Sequence, residues 1–201
     1  GESRTVADVL RSIAQGYRDG TPNGVRMDPD SGLVWSPSHF TWMDTNYPAC
    51  TPREGYPVEI QVLWIRLLRQ LARLQADGSS EVWRLLAERA EAAFHRHFWL
   101  EDRGYFADCL VARAGQPAAA ATVDDALRSN GLFAVSLGLA RGEPARRTVR
   151  AAMDHLIVPG AVRSLAPLPL SLNAAMRGVD ARVFSAPGQP YWGRYEGDED
   201  T

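Results

Sequence analysis

A mainly α-helical chain built of packed hairpins is what this sequence predicts, on three observations. Apolar residues recur at helical spacing in five separate stretches. Brief turns at Asp77-Gly78-Ser79-Ser80 and Arg141-Gly142 separate neighbouring stretches, which pairs them as antiparallel helices. No fixed-period repeat marks a solenoid. With 201 residues, 45% of them hydrophobic and 23% charged, the chain is long enough and apolar enough for one domain with a real core.

The elements follow in order. Residues 5–17 read as a helix with Val6, Val9, Leu10, Ile13 and Tyr17 on one face, closed by Gly16, Gly20, Pro22 and Gly24. Residues 25–36 read as two short extended segments around a turn at Pro29–Gly32. Pro57 suits the first position of the next helix, where a missing N–H costs nothing. Ile60, Leu63, Leu67, Leu71 and Leu74 carry that helix to about residue 76. A third helix puts Val82, Leu86, Ala90, Ala93, Phe94 and Phe98 inward. Residues 103–112 form a strand or extended loop, and the Ala/Pro-rich stretch 115–122 reads as mobile. Helices over residues 130–140 and 144–156 make a second hairpin, and residues 170–177 are a last helical candidate.

Composition also excludes function classes. A net charge of −2 and no Lys/Arg cluster argue against nucleic-acid or anionic-membrane partners. No apolar run approaches the ~18 residues that suggest a membrane span. Two cysteines, Cys50 and Cys109, leave room for one disulfide but do not make a framework, and the plainer reading is two buried free thiols in a cytoplasmic protein. Asp28-Pro29-Asp30-Ser31-Gly32 has its glycine misplaced for a calcium loop and reads as a turn. His95 and His97, two apart on a helix, face different sides and do not share a metal. Phosphate-loop, dinucleotide and serine-nucleophile signatures are missing, so no cofactor is expected.

One segment, "TWMDTNYPACTPREGYPVEIQVLW" (41–64), carries more chemistry than a connector needs. A general acid must hold its proton at neutral pH, and apolar neighbours favour the protonated carboxyl. Trp42 and Met43 could supply that environment to Asp44, or Asp44 could simply form an Asx-turn ahead of Asn46 and Pro48. Glu59 either answers the dipole of its helix N-terminus or belongs to a site. Arg53 could pair with Glu54 or Glu59, or aim a rigid donor fork at substrate hydroxyls. Trp35, Trp42, Tyr47, Tyr56, Trp64, Tyr191 and Trp192 lie near polar side chains, as sugar-stacking surfaces do, although Trp64 could pack inside its own hairpin.

These motifs have a family likeness. Thr41-Trp42-Met43-Asp44, Thr51-Pro52-Arg53-x-Gly55, Val58-Glu59-Ile60 and Leu63-Trp64 resemble the C-terminal amylo-α-1,6-glucosidase domain of glycogen debranching enzymes. "GVRMDPDSGLV", "LRSNGLFAVSL" (127–137), "VRSLAP" (162–167) and "YWGRYEGDED" are similar to further segments of it, in the same order. The resemblance implies an (α/α)6 toroid of helical hairpins with short β-hairpins in its loops. Residues 1–201 would be part of that domain, with hairpins missing at both ends. It implies inverting hydrolysis of α-1,6-linked glucose at glycogen or limit-dextrin branches. Asp44 falls on the general acid, and Trp42, Arg53, Glu59, Gln61, Trp64, Trp35 and Asn130 on positions that line the sugar site. Ser129 and Gly131 depart from the family's Pro and Gln, and Gln61 stands where Asn is usual. Inversion also needs a base roughly 6.5–9.5 Å from the acid, which the resemblance puts beyond Thr201.

Competing readings are another inverting glycosidase of trehalase-like or glucosylglycerate-hydrolase-like type, or a non-catalytic α-glucan-binding segment. A helical scaffold for protein partners is the plainest alternative, and it gives no reason for TWMD beside TPREG.

Overall fold

A computed structural model describes residues 4–44, 52–74 and 80–171, together with the backbone of short strands at 176–177, 183–185, 194–195 and 198–199. Cys50, Tyr47, Tyr191, Trp192 and residues 77–79 of the expected turn lie outside the described residues.

Helix α1 (Val6–Asp19) starts where Thr5 and Asp8 cap each other reciprocally, the hydroxyl accepting from the Asp8 N–H and the Asp8 carboxylate from the Thr5 N–H. It ends on Gly20, whose φ of 95° is open to glycine. Strands β1 (Arg26–Met27) and β2 (Val34–Trp35) pair antiparallel around the Asp28 turn. In that turn the Asp28 carboxylate accepts from the Ser31 hydroxyl and the Ala118 N–H.

Strand β3 (Gly55–Pro57) runs directly into α2 (Val58–Leu74). Pro57 therefore closes a strand, paired with Cys109, rather than opening the helix as its residue type suggested. Helix α3 (Ser80–Phe98) packs along α2 as an antiparallel hairpin. Val62, Ile65, Phe94 and Phe98 share one core cluster; Trp64, Leu68, Leu71, Trp83 and Leu86 share another with Ala14 of α1. Each such fully buried side chain contributes about 1.5–3 kcal/mol. The inward edge of α3 begins at Trp83, and Val82 is half exposed, one position off the expected stripe.

Strands β4 (Trp99–Leu100) and β5 (Tyr105–Phe106) form a hairpin; β6 (Cys109–Val111) pairs with β3 on one side and with β7 (Thr122–Asp124) on the other. Residues 115–122, expected to be mobile, are tied down. Ala118 N–H reaches Asp28, the Tyr56 hydroxyl donates to the Gln116 carbonyl, and residues 118–120 make a 3-10 turn. Helix α4 is only Leu132–Ser136, behind a 3-10 turn at Ser129–Gly131. Helix α5 (Gly142–His155) follows, and β8 (Ile157–Val158) pairs with β9 (Ala161–Val162). Of the last helical candidate, residues 176–177 are a strand.

The expected toroid segment is therefore corrected. Among the described residues five helices, one of them a single turn, alternate with thirteen strands of two or three residues in six small antiparallel sheets. That is a mixed arrangement of helices and sheets rather than a run of helical hairpins, and residues 130–140 supply no full-length partner for α5. The physical reason is length: a two-residue strand leaves no alternation to read, so helical periodicity dominated the expectation. No helix among the described residues is long and apolar enough to cross a membrane.

Candidate active site

The β3–β6–β7 sheet gathers three polar side chains that are far apart in sequence. Arg53 sits two residues before β3, Asp108 just before β6, and Asp124 ends β7. Asp108 is held on both sides by its backbone, accepting from the Val58 N–H at 2.9 Å and donating to the Asp124 carbonyl at 3.0 Å. Close approach of β3 to β6 depends on Gly55: with φ at 131°, a Cβ there would lie 2.1 Å from the Leu110 carbonyl oxygen.

Arg53 adopts φ 45°, a left-handed conformation rare outside glycine and asparagine, at a cost of roughly 1–3 kcal/mol. Its side chain offsets that strain. Nη1 and Nη2 each donate to one Glu59 oxygen at 2.6 Å. Nε and Nη2 donate to the two Asp108 oxygens at 2.8 and 3.1 Å, and Nη1 also reaches the Thr41 hydroxyl at 3.1 Å. Burial works against the charge on Arg53, but the neighbouring Asp108 and Glu59 carboxylates outweigh it and push the guanidinium pKa above its ordinary value. Glu59, in the first turn of α2, also lies where the helix dipole favours an anion.

Asp108 passes this arrangement on. Its Oδ1 accepts from Asn130 Nδ2 at 2.9 Å, while Asn130 Oδ1 accepts from the Trp42 indole N–H at 3.0 Å. The same Asn130 amide lies 3.4 Å from the Met43 sulfur. Thr41 Oγ1, gripped by Arg53, accepts in turn from the Met43 N–H at 3.1 Å. A bond from the His39 N–H to the Pro52 carbonyl closes the base of this loop. Thr41, Trp42 and Met43 are thus each anchored to a buried network, and Asp44, next in line, is exposed.

Trp42 is 61% exposed, so it donates its indole N–H inward and leaves most of its ring outside. The apolar enclosure expected from Trp42 and Met43 around Asp44 is not formed by those two residues. Arg53 pairs with Glu59 and not Glu54, and Asn130 joins the same network. The other expected sugar contacts are engaged elsewhere. Gln61 is fully buried and exchanges two hydrogen bonds with the Val34 backbone. Trp64 donates to the Gly32 carbonyl and stacks edge-on against Tyr17. Trp35 donates to the Ala112 carbonyl and lines a separate cleft of about 420 Å³ with Asp28 and Tyr56.

Sequence reasoning missed Asp108, Arg128 and Asp124. The signal for Asp108 was a lone carboxylate inside the apolar run "YFADCLVA", since a buried charge needs a partner. Asp124 is partly buried; burial, reinforced by the Asp108 charge and opposed by Arg128, pushes its carboxyl up to about 6. Cys109 is a buried free thiol that burial pushes well above its ordinary pKa.

An acidic residue displayed beside an exposed indole, on a loop pinned from within by arginine, aspartate and asparagine, is an arrangement suited to sugar chemistry. Comparison with known proteins agrees: the family model described as amylo-alpha-1,6-glucosidase matches residues 3–182, and the chain belongs to that glycosidase family. Among solved structures, part of a GH78 family rhamnosidase from Bacillus sp. GL1 shares its fold, with a TM-score of 0.51 and 18% identity. That match covers 79% of this chain and 15% of the rhamnosidase chain. No curated protein sequence matches significantly.

Proposed function

We propose that this chain carries the proton-donating side of a glycosidase site acting on α-1,6-linked glucose in branched α-glucans such as glycogen or limit dextrin, with Asp44 as general acid. The observation that supports this reading is the contrast within TWMD: three residues anchored to a buried network, then a carboxyl open to approach. A proton donor has to be fixed in position yet reachable by the leaving oxygen. Asp44 gives its proton to the departing glycosidic oxygen while water attacks the anomeric carbon from the opposite face and loses a proton to a second carboxylate. A glucan laid over the exposed Trp42 ring would also cover Asp44 and withdraw water from it. Arg53, Glu59 and Asp108 position the loop in this scheme; Asn130 orients Trp42.

The test is Asp44→Asn in the complete protein. Glucose release from limit dextrin should fall by about 10²–10⁴-fold, the usual contribution of a general acid, with glucan binding retained. Release close to that of the parent would refute the assignment. Parent activity confined to small glucosides would move the substrate away from branched glucan.

A further inference from the structure

Two arginines face the Asp108 carboxylate, and they differ in one respect. Every N–H of Arg53 is committed to Glu59, Asp108 or Thr41. Arg128 is also buried, its side chain only 6% exposed, and its Nε lies 3.3 Å from Asp108 Oδ2. Yet that Nε makes no hydrogen bond, and none of the guanidinium donors of Arg128 bonds to another described residue. A guanidinium offers five donors, and a buried donor without an acceptor is costly until one arrives.

Its backbone is well fixed. Arg128 bridges Leu165 on one side and leads into the 3-10 turn that carries Asn130, the residue that orients Trp42. Among the described residues nothing supplies that acceptor, and the position lies beside the proposed acid loop. Local charge says what kind it is. Arg53 and Arg128 are balanced by Glu59 and Asp108, so these four groups carry no surplus positive charge to recruit an anion. A planar donor fork without excess charge suits a pair of neutral hydroxyl oxygens.

We infer that Arg128 is a sugar-binding residue, its open guanidinium donors taking vicinal hydroxyls of the glucosyl unit that lies against Trp42. The inference rests on the function proposed above and adds a specific contact to it.

Isomaltose titrated calorimetrically into the complete protein, carrying Asp44→Asn to prevent turnover, tests it. Arg128→Lys keeps the charge beside Asp108 but loses the fork, and should weaken isomaltose binding roughly tenfold to a hundredfold with little change in melting temperature. Free guanidinium should restore part of the binding to Arg128→Ala, a rescue that a purely structural arginine would not show. Unchanged affinity in Arg128→Lys would overturn the inference, as would absence of isomaltose binding by the Arg128-containing protein. Should Arg128→Ala fail to fold, the lysine variant decides. Hydrolysis surviving Asp44→Asn alone, with Arg128 still needed for binding, would sink the acid assignment and leave this contact standing.

Discussion

Replacing Arg53 with methionine should be among the most damaging single changes in the chain. The substitution removes the only hydrogen-bonding partner of Glu59 among the described residues and strips three hydrogen bonds from Asp108, two of them to its carboxylate. Those carboxylate side chains are 3% and 0% exposed, so water cannot replace what is lost. Breaking a buried ion pair by deleting one member costs about 3–5 kcal/mol, because the remaining charge stays desolvated. In a protein of this size 1 kcal/mol moves the midpoint by about 2–4 °C, so thermal unfolding followed by circular dichroism should show a fall of roughly 6–20 °C. Pairing Arg53→Met with Glu59→Leu should recover part of the loss, since an apolar pair needs no partner. A single variant within about 1 kcal/mol of the parent would refute the reasoning.

Gly55→Ala should abolish cooperative folding or cost more than about 3 kcal/mol, read by denaturant unfolding, because the new methyl group meets the β6 backbone. Asp124 has a folded-state pKa of about 6 against an ordinary 3.8. The folded chain thus holds more protons than the unfolded one between those values, and this group subtracts stability as pH rises through that window. Asp124→Asn should accordingly stabilise the protein at neutral pH by on the order of 3 kcal/mol and leave it unchanged near pH 3; unfolding curves at the two pH values check the sign. Asn130→Ala should release the Trp42 indole and lower glucose release from limit dextrin more than it lowers melting temperature, measured on the same preparation.

How much of this was legible depended on the range over which the sequence speaks. Residues 5–17 showed α1 plainly, and the leucines at 67, 71 and 74 marked α2, because helical spacing repeats within a few residues. The register of α3 slipped by one position because Val82 and Trp83 are both apolar and only packing decides between them. Strands β3, β6 and β7 are three residues each, too short to show a period, and the pairing of β3 with β6 joins positions more than fifty residues apart. The acid loop stood out because Trp, Asp, Arg and Glu crowd a short stretch. Asp108 did not, since its partner Arg53 lies 55 residues away. Their place in the motif makes Gln61 and Trp64 look like sugar contacts; their neighbours in space, Val34, Gly32 and Tyr17, come from an earlier part of the chain.

Gln61 has a consequence for how much change this region tolerates. Its amide answers both the N–H and the C=O of Val34 as one residue of a neighbouring strand would, and both residues are wholly buried. Shortening it to alanine would strand two backbone groups where water cannot reach them, at roughly 1–3 kcal/mol each, and a lower melting temperature would be the symptom.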